Sequence, residues 1–264
     1  MSDRQSLQSL FGLERSQVLL TGAGGGIGGA LLETFNAAGA LVCGADRDMS
    51  LLEKLDLHRR LVFDLADGPA TARAMAELVG SDAMPDVLVS NAGYTSADTL
   101  EQVDAAAWAQ ELAVNLTGAF NVASPVVEAM ARRGHGSVVF VASVNGLAHY
   151  GNPAYSAAKA GLIAYAKALA VERGAAGVRV NVVCPGSVRT PAWDQRFARR
   201  PDLLDQVLPH YPLGRMVTPQ EVACAVLFLA SAAASGITGA VLTVDAGLTA
   251  GNYRFVTDVI AGSA

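Results

Sequence analysis

Short runs of β-branched and apolar residues alternate with longer stretches of helical period from residue 17 to residue 243, and this alternation limits the fold more than any other feature. A strand that is to lie parallel to its predecessor needs a crossover of a dozen or more residues, which a helix supplies. Strands are predicted at 17–20, 40–45, 60–63, 86–90, 137–142, 178–183 and 240–243. Helical stretches are predicted near 27–38, 69–79, 105–132, 154–173 and 219–232. Seven strands with helices on both faces make an α/β doubly wound parallel sheet, which holds its ligands at the carboxyl ends of the strands.

The chain has 264 residues, and single-sheet folds of this kind run to about 250, so one domain spanning 1–264 is expected. A hydrophobic share of 52% against 16% charged residues suits elements buried on more than one side and points to an oligomer. The net charge of -5 offers no basic footprint for nucleic acid or an anionic membrane, so a small-molecule partner is expected. Cys43, Cys184 and Cys224 lie far apart and read as reduced thiols, and the four histidines lack metal-ligand spacing, so no metal is predicted. Residues 1–12 lack the apolar core of a signal peptide, and the apolar run 222–234 is too short to span a bilayer. A cytoplasmic protein is expected.

The first predicted strand runs into Thr21-Gly22-Ala23-Gly24-Gly25-Gly26-Ile27-Gly28, and helical period follows at once. Glycines there allow a tight turn and backbone approach to a pyrophosphate, while the helix amino terminus offers N–H groups to the phosphates. Gly22, Gly25, Gly26, Ile27 and Gly28 are therefore candidates for a dinucleotide site in a Rossmann-type sheet. The second strand ends at Asp46, whose carboxylate can bind both ribose hydroxyls and repel a 2′-phosphate, favouring NAD. Arg47 beside it leaves NADP open. Asp64 and Leu65 after the third strand are expected at the adenine, and Asn91, Ala92 and Gly93 after the fourth at the adenine and ribose.

Tyr155 and Lys159 stand four residues apart on one helical face. Moving a hydride to or from an alcohol carbon requires a proton transfer at the oxygen, and a free phenol is a poor base at neutral pH. An ammonium about 6 Å away, at an effective dielectric near 20, is worth roughly 3 kcal/mol, or about two pKa units. Ser143, at the end of the strand 137–142, can hold the substrate oxygen. Asn115 falls inside an apolar helix, where an amide needs a partner or a task. It either binds a water linking Lys159 to solvent or holds a distortion of the helix.

Together with Pro185-Gly186 and Thr190, these motifs lie in an order and at spacings that resemble the short-chain dehydrogenase/reductase family, over nearly the whole chain from Thr21 to Gly247. The resemblance implies Ser143, Tyr155 and Lys159 as catalytic residues, with Asn115 completing a proton relay. It implies that Tyr155 and Lys159 meet the nicotinamide ribose, and that Pro185, Gly186, Val188 and Thr190 flank the nicotinamide, Val188 and Thr190 anchoring its carboxamide. A homotetramer or homodimer through the helices containing Asn115 and Tyr155 is implied as well.

The stretch 186–217 has four prolines and no strand character, and a connection that long is expected to be a substrate-binding lid. Ser143, Asn145, His149, Tyr155, Gly186, Trp193 and Arg196 are the substrate-binding candidates, with Tyr94, Val144 and Tyr150 nearby. Asn145 and His149 either bond a polyol or are solvated loop residues, and the lid arginines either bind an anionic group or form a solvated helix face. The tail 248–264 can cover its own pocket, cover a neighbour's, or fray. The expected function is hydride transfer between NAD and a secondary alcohol or hemiacetal such as a sugar or sugar acid. The alternatives are an NADPH-dependent carbonyl reductase and a non-catalytic dinucleotide-binding regulator; a methyltransferase shares the Gly-rich turn but has no use for Tyr155 and Lys159.

Overall fold

The computed structural model describes residues 10–263, so most of the polar stretch 1–12 lies outside the described residues. Seven strands form one parallel sheet: β1 (Gln17–Thr21), β2 (Leu41–Asp46), β3 (Arg59–Val62), β4 (Val87–Ser90), β5 (Gly136–Val141), β6 (Val178–Pro185) and β7 (Val241–Val244). Their order is β3-β2-β1-β4-β5-β6-β7, with β1 paired to β2 on one side and to β4 on the other. The chain reverses its winding between β1 and β4, which opens a crevice beyond their carboxyl ends.

Successive side chains of each strand enter opposite cores. Leu19, Leu88, Val138 and Phe140 pack with α2 (Gly68–Val79), α4 (Gly118–Arg133) and α5 (Pro153–Arg173). Val18, Leu20, Val89 and Val139 pack with α1 (Gly26–Ala37) and α8 (Pro219–Ala230). The helices begin where the sequence supplies caps. The Asp67 side chain accepts from Ala70 N at 2.9 Å at the start of α2. Asp104 does the same for Ala107 N at 2.7 Å before α3 (Ala105–Leu112), and Thr218 with Glu221 forms a capping box on α8.

The structure differs from the sequence expectation in two places. The continuous helix expected over 105–132 is interrupted between α3 and α4 by a wider turn at Ala113–Thr117, where Gly118 N reaches back five residues to Ala113 O. The Asn115 side chain takes the Glu111 carbonyl at 2.8 Å, and that competition accounts for the extra residue in the turn. The stretch 186–217 is also more ordered than a loop, since it carries α6 (Pro191–Arg199) and α7 (Leu203–Val207). Its two ends are joined to each other by a parallel bridge between Val188 and Val217.

Candidate active site

A cleft of about 1110 Å³ runs along the carboxyl ends of the strands, from the Gly-rich turn to Trp193 on α6. At one end Gly22 adopts the left-handed conformation (φ +68), and a Cβ there would lie 2.8 Å from Ala92 Cα. A Cβ on Gly28 would lie 2.0 Å from the Gly22 carbonyl oxygen, so Gly28 closes the turn from beneath and does not itself line the cleft. Gly25 stands at the cap of α1 with no side chain bonded there, which leaves the N–H groups of the first turn to an anion. A cradle that only glycines permit, ending on a helix amino terminus, fits a dinucleotide pyrophosphate.

Thr21, whose contribution the motif does not signal, stitches the crevice. Its hydroxyl accepts from Asn91 N at 3.0 Å and Ala92 N at 3.2 Å, while Asn91 Nδ2 donates to the carbonyls of Thr21 and Gly22, both at 3.1 Å. Asn91 thus holds the turn, and Ala92 and Gly93 follow it along the cleft. The Asp46 carboxylate accepts from Gly24 N at 3.1 Å and from Arg47 N at 2.8 Å. Asp46, the exposed Arg47, Asp64 and Leu65 all line this end. On the far side stand Pro185, Gly186, Val188 and Thr190, and Thr190 Cγ2 approaches the Cβ position of Gly26 to 2.8 Å.

Ser143, Tyr155 and Lys159 line the same cleft. Lys159 is 2% exposed, and its Nζ donates to the Val141 carbonyl at 3.0 Å and sits 5.4 Å from the centre of the Tyr155 ring. Burial lowers the lysine to about 8, within reach of neutral pH. The expected lowering of Tyr155 by this ammonium does not prevail. Burial pushes the phenol up to about 12, against the opposing effect of its hydrogen bond with Ser143. Withdrawing the phenol from water disfavours its anion by more than its polar neighbours favour it.

Asn115 is 1% exposed and holds the distorted turn. Its Nδ2 donates to Tyr94 O at 2.6 Å and Glu111 O at 2.8 Å, and its Oδ1 accepts from Tyr94 N at 3.0 Å. These bonds fix the backbone beside Gly93.

At the substrate end, Asn145 lines the cleft but donates both amide hydrogens inward, to Gly151 O at 2.8 Å and Ser156 Oγ at 3.2 Å. His149 is exposed and stands outside the cleft lining, whereas its neighbour Tyr150 lines it. Trp193 and Arg196 do line the cleft, stacked at 5.3 Å, and Arg196 bridges to Asp98 across the mouth at 3.7 Å. Asn152, absent from the sequence candidates, ties that loop together through Thr95 Oγ1, Ala97 O and Asp98 Oδ1. Leu248 of the tail lines the main cleft, and Thr249, Asn252, Tyr253 and Arg254 line a side cavity of about 280 Å³ with Tyr150 and His210 of the same chain. Among the described residues, no cluster of His, Cys, Asp or Glu could hold a metal ion, and no helix is long and apolar enough to cross a membrane.

Comparison with known proteins agrees with this geometry. The family model described as "Enoyl-(Acyl carrier protein) reductase" matches residues 22–249. An uncharacterized oxidoreductase of Schizosaccharomyces pombe is 41% identical over 249 residues, covering 94% of this chain and 96% of its own. A crystal structure of a short-chain dehydrogenase/reductase family oxidoreductase from Burkholderia thailandensis has a TM-score of 0.86 at 44% identity, covering 94% of this chain and 98% of that one. That of a gluconate 5-dehydrogenase from Burkholderia cenocepacia, in complex with NADP and tartrate, has a TM-score of 0.86 at 29% identity, covering 93% and 100%. A dinucleotide cradle joined to a Ser, Tyr and Lys cluster in one cleft, with relatives matched over nearly their full length, makes this chain a member of the short-chain dehydrogenase/reductase family of NAD(P)-dependent oxidoreductases.

Proposed function

We propose that this chain is an NAD-preferring dehydrogenase for a secondary alcohol on a polar, hydroxylated molecule such as a sugar or sugar acid. The observation that carries the reading is that Ser143, Tyr155 and Lys159 line one cleft together with Asp46 and the Gly-rich turn. A nicotinamide held along Pro185, Gly186, Val188 and Thr190 would supply the hydride acceptor or donor. Tyr155 exchanges the proton of the substrate oxygen, so that oxidation leaves a carbonyl and a protonated phenol. Ser143 holds that oxygen by a hydrogen bond, and Lys159 supplies positive charge beside the phenol and bonds the nicotinamide ribose. Asn115 keeps the neighbouring backbone in register for the relay of the proton to solvent.

Asp98, Asn152, Tyr150 and Arg196 give the substrate end a polar wall that suits hydroxyls, and Arg196 adds a cation for a carboxylate. The likeness to a gluconate 5-dehydrogenase supports the same substrate class. The stretch 186–217 acts as the lid. Two observations support the second reading, an NADPH-dependent carbonyl reductase: Arg47 is exposed beside Asp46, and the gluconate 5-dehydrogenase binds NADP. The outward residues Trp108, Phe120 and Val171 on α3 to α5 provide the apolar face for a homotetramer or homodimer.

Tyr155→Phe is expected to lower kcat for sugar or sugar-acid oxidation by about 10³-fold or more while the Kd for NADH changes little. Near-normal turnover in this variant overturns the assignment, and steady-state kinetics with NAD and NADP decides between the two readings.

A further inference from the structure

The turn of helix that presents Asn115 also presents a carboxylate that the chemistry above does not use. Glu111, near the end of α3, is 0% exposed. Its Oε1 accepts from Ser96 N at 2.7 Å, Ser96 Oγ at 2.8 Å and Ala97 N at 3.1 Å. Its Oε2 is buried with no hydrogen-bond partner among the described residues, and no cation among them forms a salt bridge with it. The Glu111 carbonyl meanwhile accepts from Asn115, whose amide grips Tyr94 at both N and O.

One helical turn thus clamps residues 94–97 at two points. That loop places Tyr94 and Thr95 on the cleft wall and leads directly to Asp98, the partner of Arg196. Three donors converge on one carboxylate oxygen, so moving the loop would strand a buried acceptor, which is costly.

We propose that Glu111 is a positioning residue of the active site, whose carboxylate pins the substrate-side loop 94–97. The inference rests on the substrate end proposed above.

Two variants test the clamp. Glu111→Gln keeps an acceptor for Ser96 and Ala97, and Glu111→Ala removes it. In hydrogen exchange on the cofactor-free protein, Glu111→Ala should speed exchange at the Ser96 and Ala97 amides by about tenfold or more, with Glu111→Gln closer to wild type. In steady-state kinetics, Glu111→Ala should raise the KM for the alcohol by about tenfold with the Kd for NADH unchanged, and Glu111→Gln should restore most of that loss. Wild-type exchange in Glu111→Ala overturns the clamp, and an unchanged KM in that variant overturns its role in positioning. If wild-type protein oxidises no alcohol, the dehydrogenase reading fails by itself, because the exchange experiment needs neither cofactor nor substrate.

Discussion

Lys159 is held against its own preference: an ammonium with an ordinary value of 10.5 sits at about 8 because it is buried. Below about pH 8 both folded and unfolded chains carry the proton, and burying the charge costs stability. Between about 8 and 10.5 the unfolded chain binds more protons than the folded one, so stability rises with pH. Wild-type protein should therefore gain on the order of 2 kcal/mol relative to Lys159→Met between pH 7 and about 9.5, measured by urea unfolding. Parallel stabilities across that range would contradict it. Tyr155, Cys43 and Cys184 are raised by burial and act in the opposite sense at higher pH, but they are present in both proteins. Asp46 gives the matching test for the cofactor. Asp46→Asn can still accept from Gly24 N but loses the charge that repels a 2′-phosphate, so the ratio of kcat/KM for NAD over NADP should fall by about tenfold or more. Tyr155, Lys159 and Ser143 are legible in the sequence because helical spacing and a strand end locate them. The direction in which Tyr155 shifts is not, since desolvation depends on atoms that the fold brings from β5, β6 and α3.

The turn at Ala113–Thr117 shows what can be read at the level of elements. Caps such as Asp67, Asp104 and Thr218 announce helix starts through their own side chains, and the Gly-rich turn announces a strand-to-helix corner. A single residue added to a helix shifts the apolar stripe by about 100°, which a short amphipathic pattern absorbs without trace. The signal that does exist is an acid four residues before an amide, Glu111 and Asn115, both on a face that is otherwise apolar. Asn115→Leu would strand the Tyr94 N–H, Tyr94 carbonyl and Glu111 carbonyl together. At about 1–3 kcal/mol for each buried group left without a partner, a loss of at least 3 kcal/mol is expected in chemical unfolding. A loss under 1 kcal/mol would mean that the turn holds itself.

At the scale of the whole molecule, exposed apolar residues stand on α3 to α5. Phe120 is 48% and Val171 82% exposed. If that face is the subunit contact, the double variant Phe120→Asp, Val171→Asp should elute as a monomer in size-exclusion chromatography with light scattering, and an unchanged mass would place the contact elsewhere. The doubly wound parallel sheet was legible from the alternation of strand and helix, because parallel neighbours need helical crossovers; the order of its strands came only from the structure. The stretch 186–217 was legible only as an interruption without strand character, and its helix α6 buries none of its residues.

The two sides of the cleft are also unequal in stiffness. The seam between β1 and β4 is closed by four hydrogen bonds among Thr21, Gly22, Asn91 and Ala92, all beneath the cofactor cradle. The mouth opposite is held by one exposed ion pair, Arg196 with Asp98, of a kind worth about 0–1 kcal/mol and weakened by salt. The enzyme is thus built like a vice with one fixed jaw and one loose one. Warming or added salt should slacken its grip on the alcohol well before its grip on the dinucleotide, and the two Michaelis constants should part company.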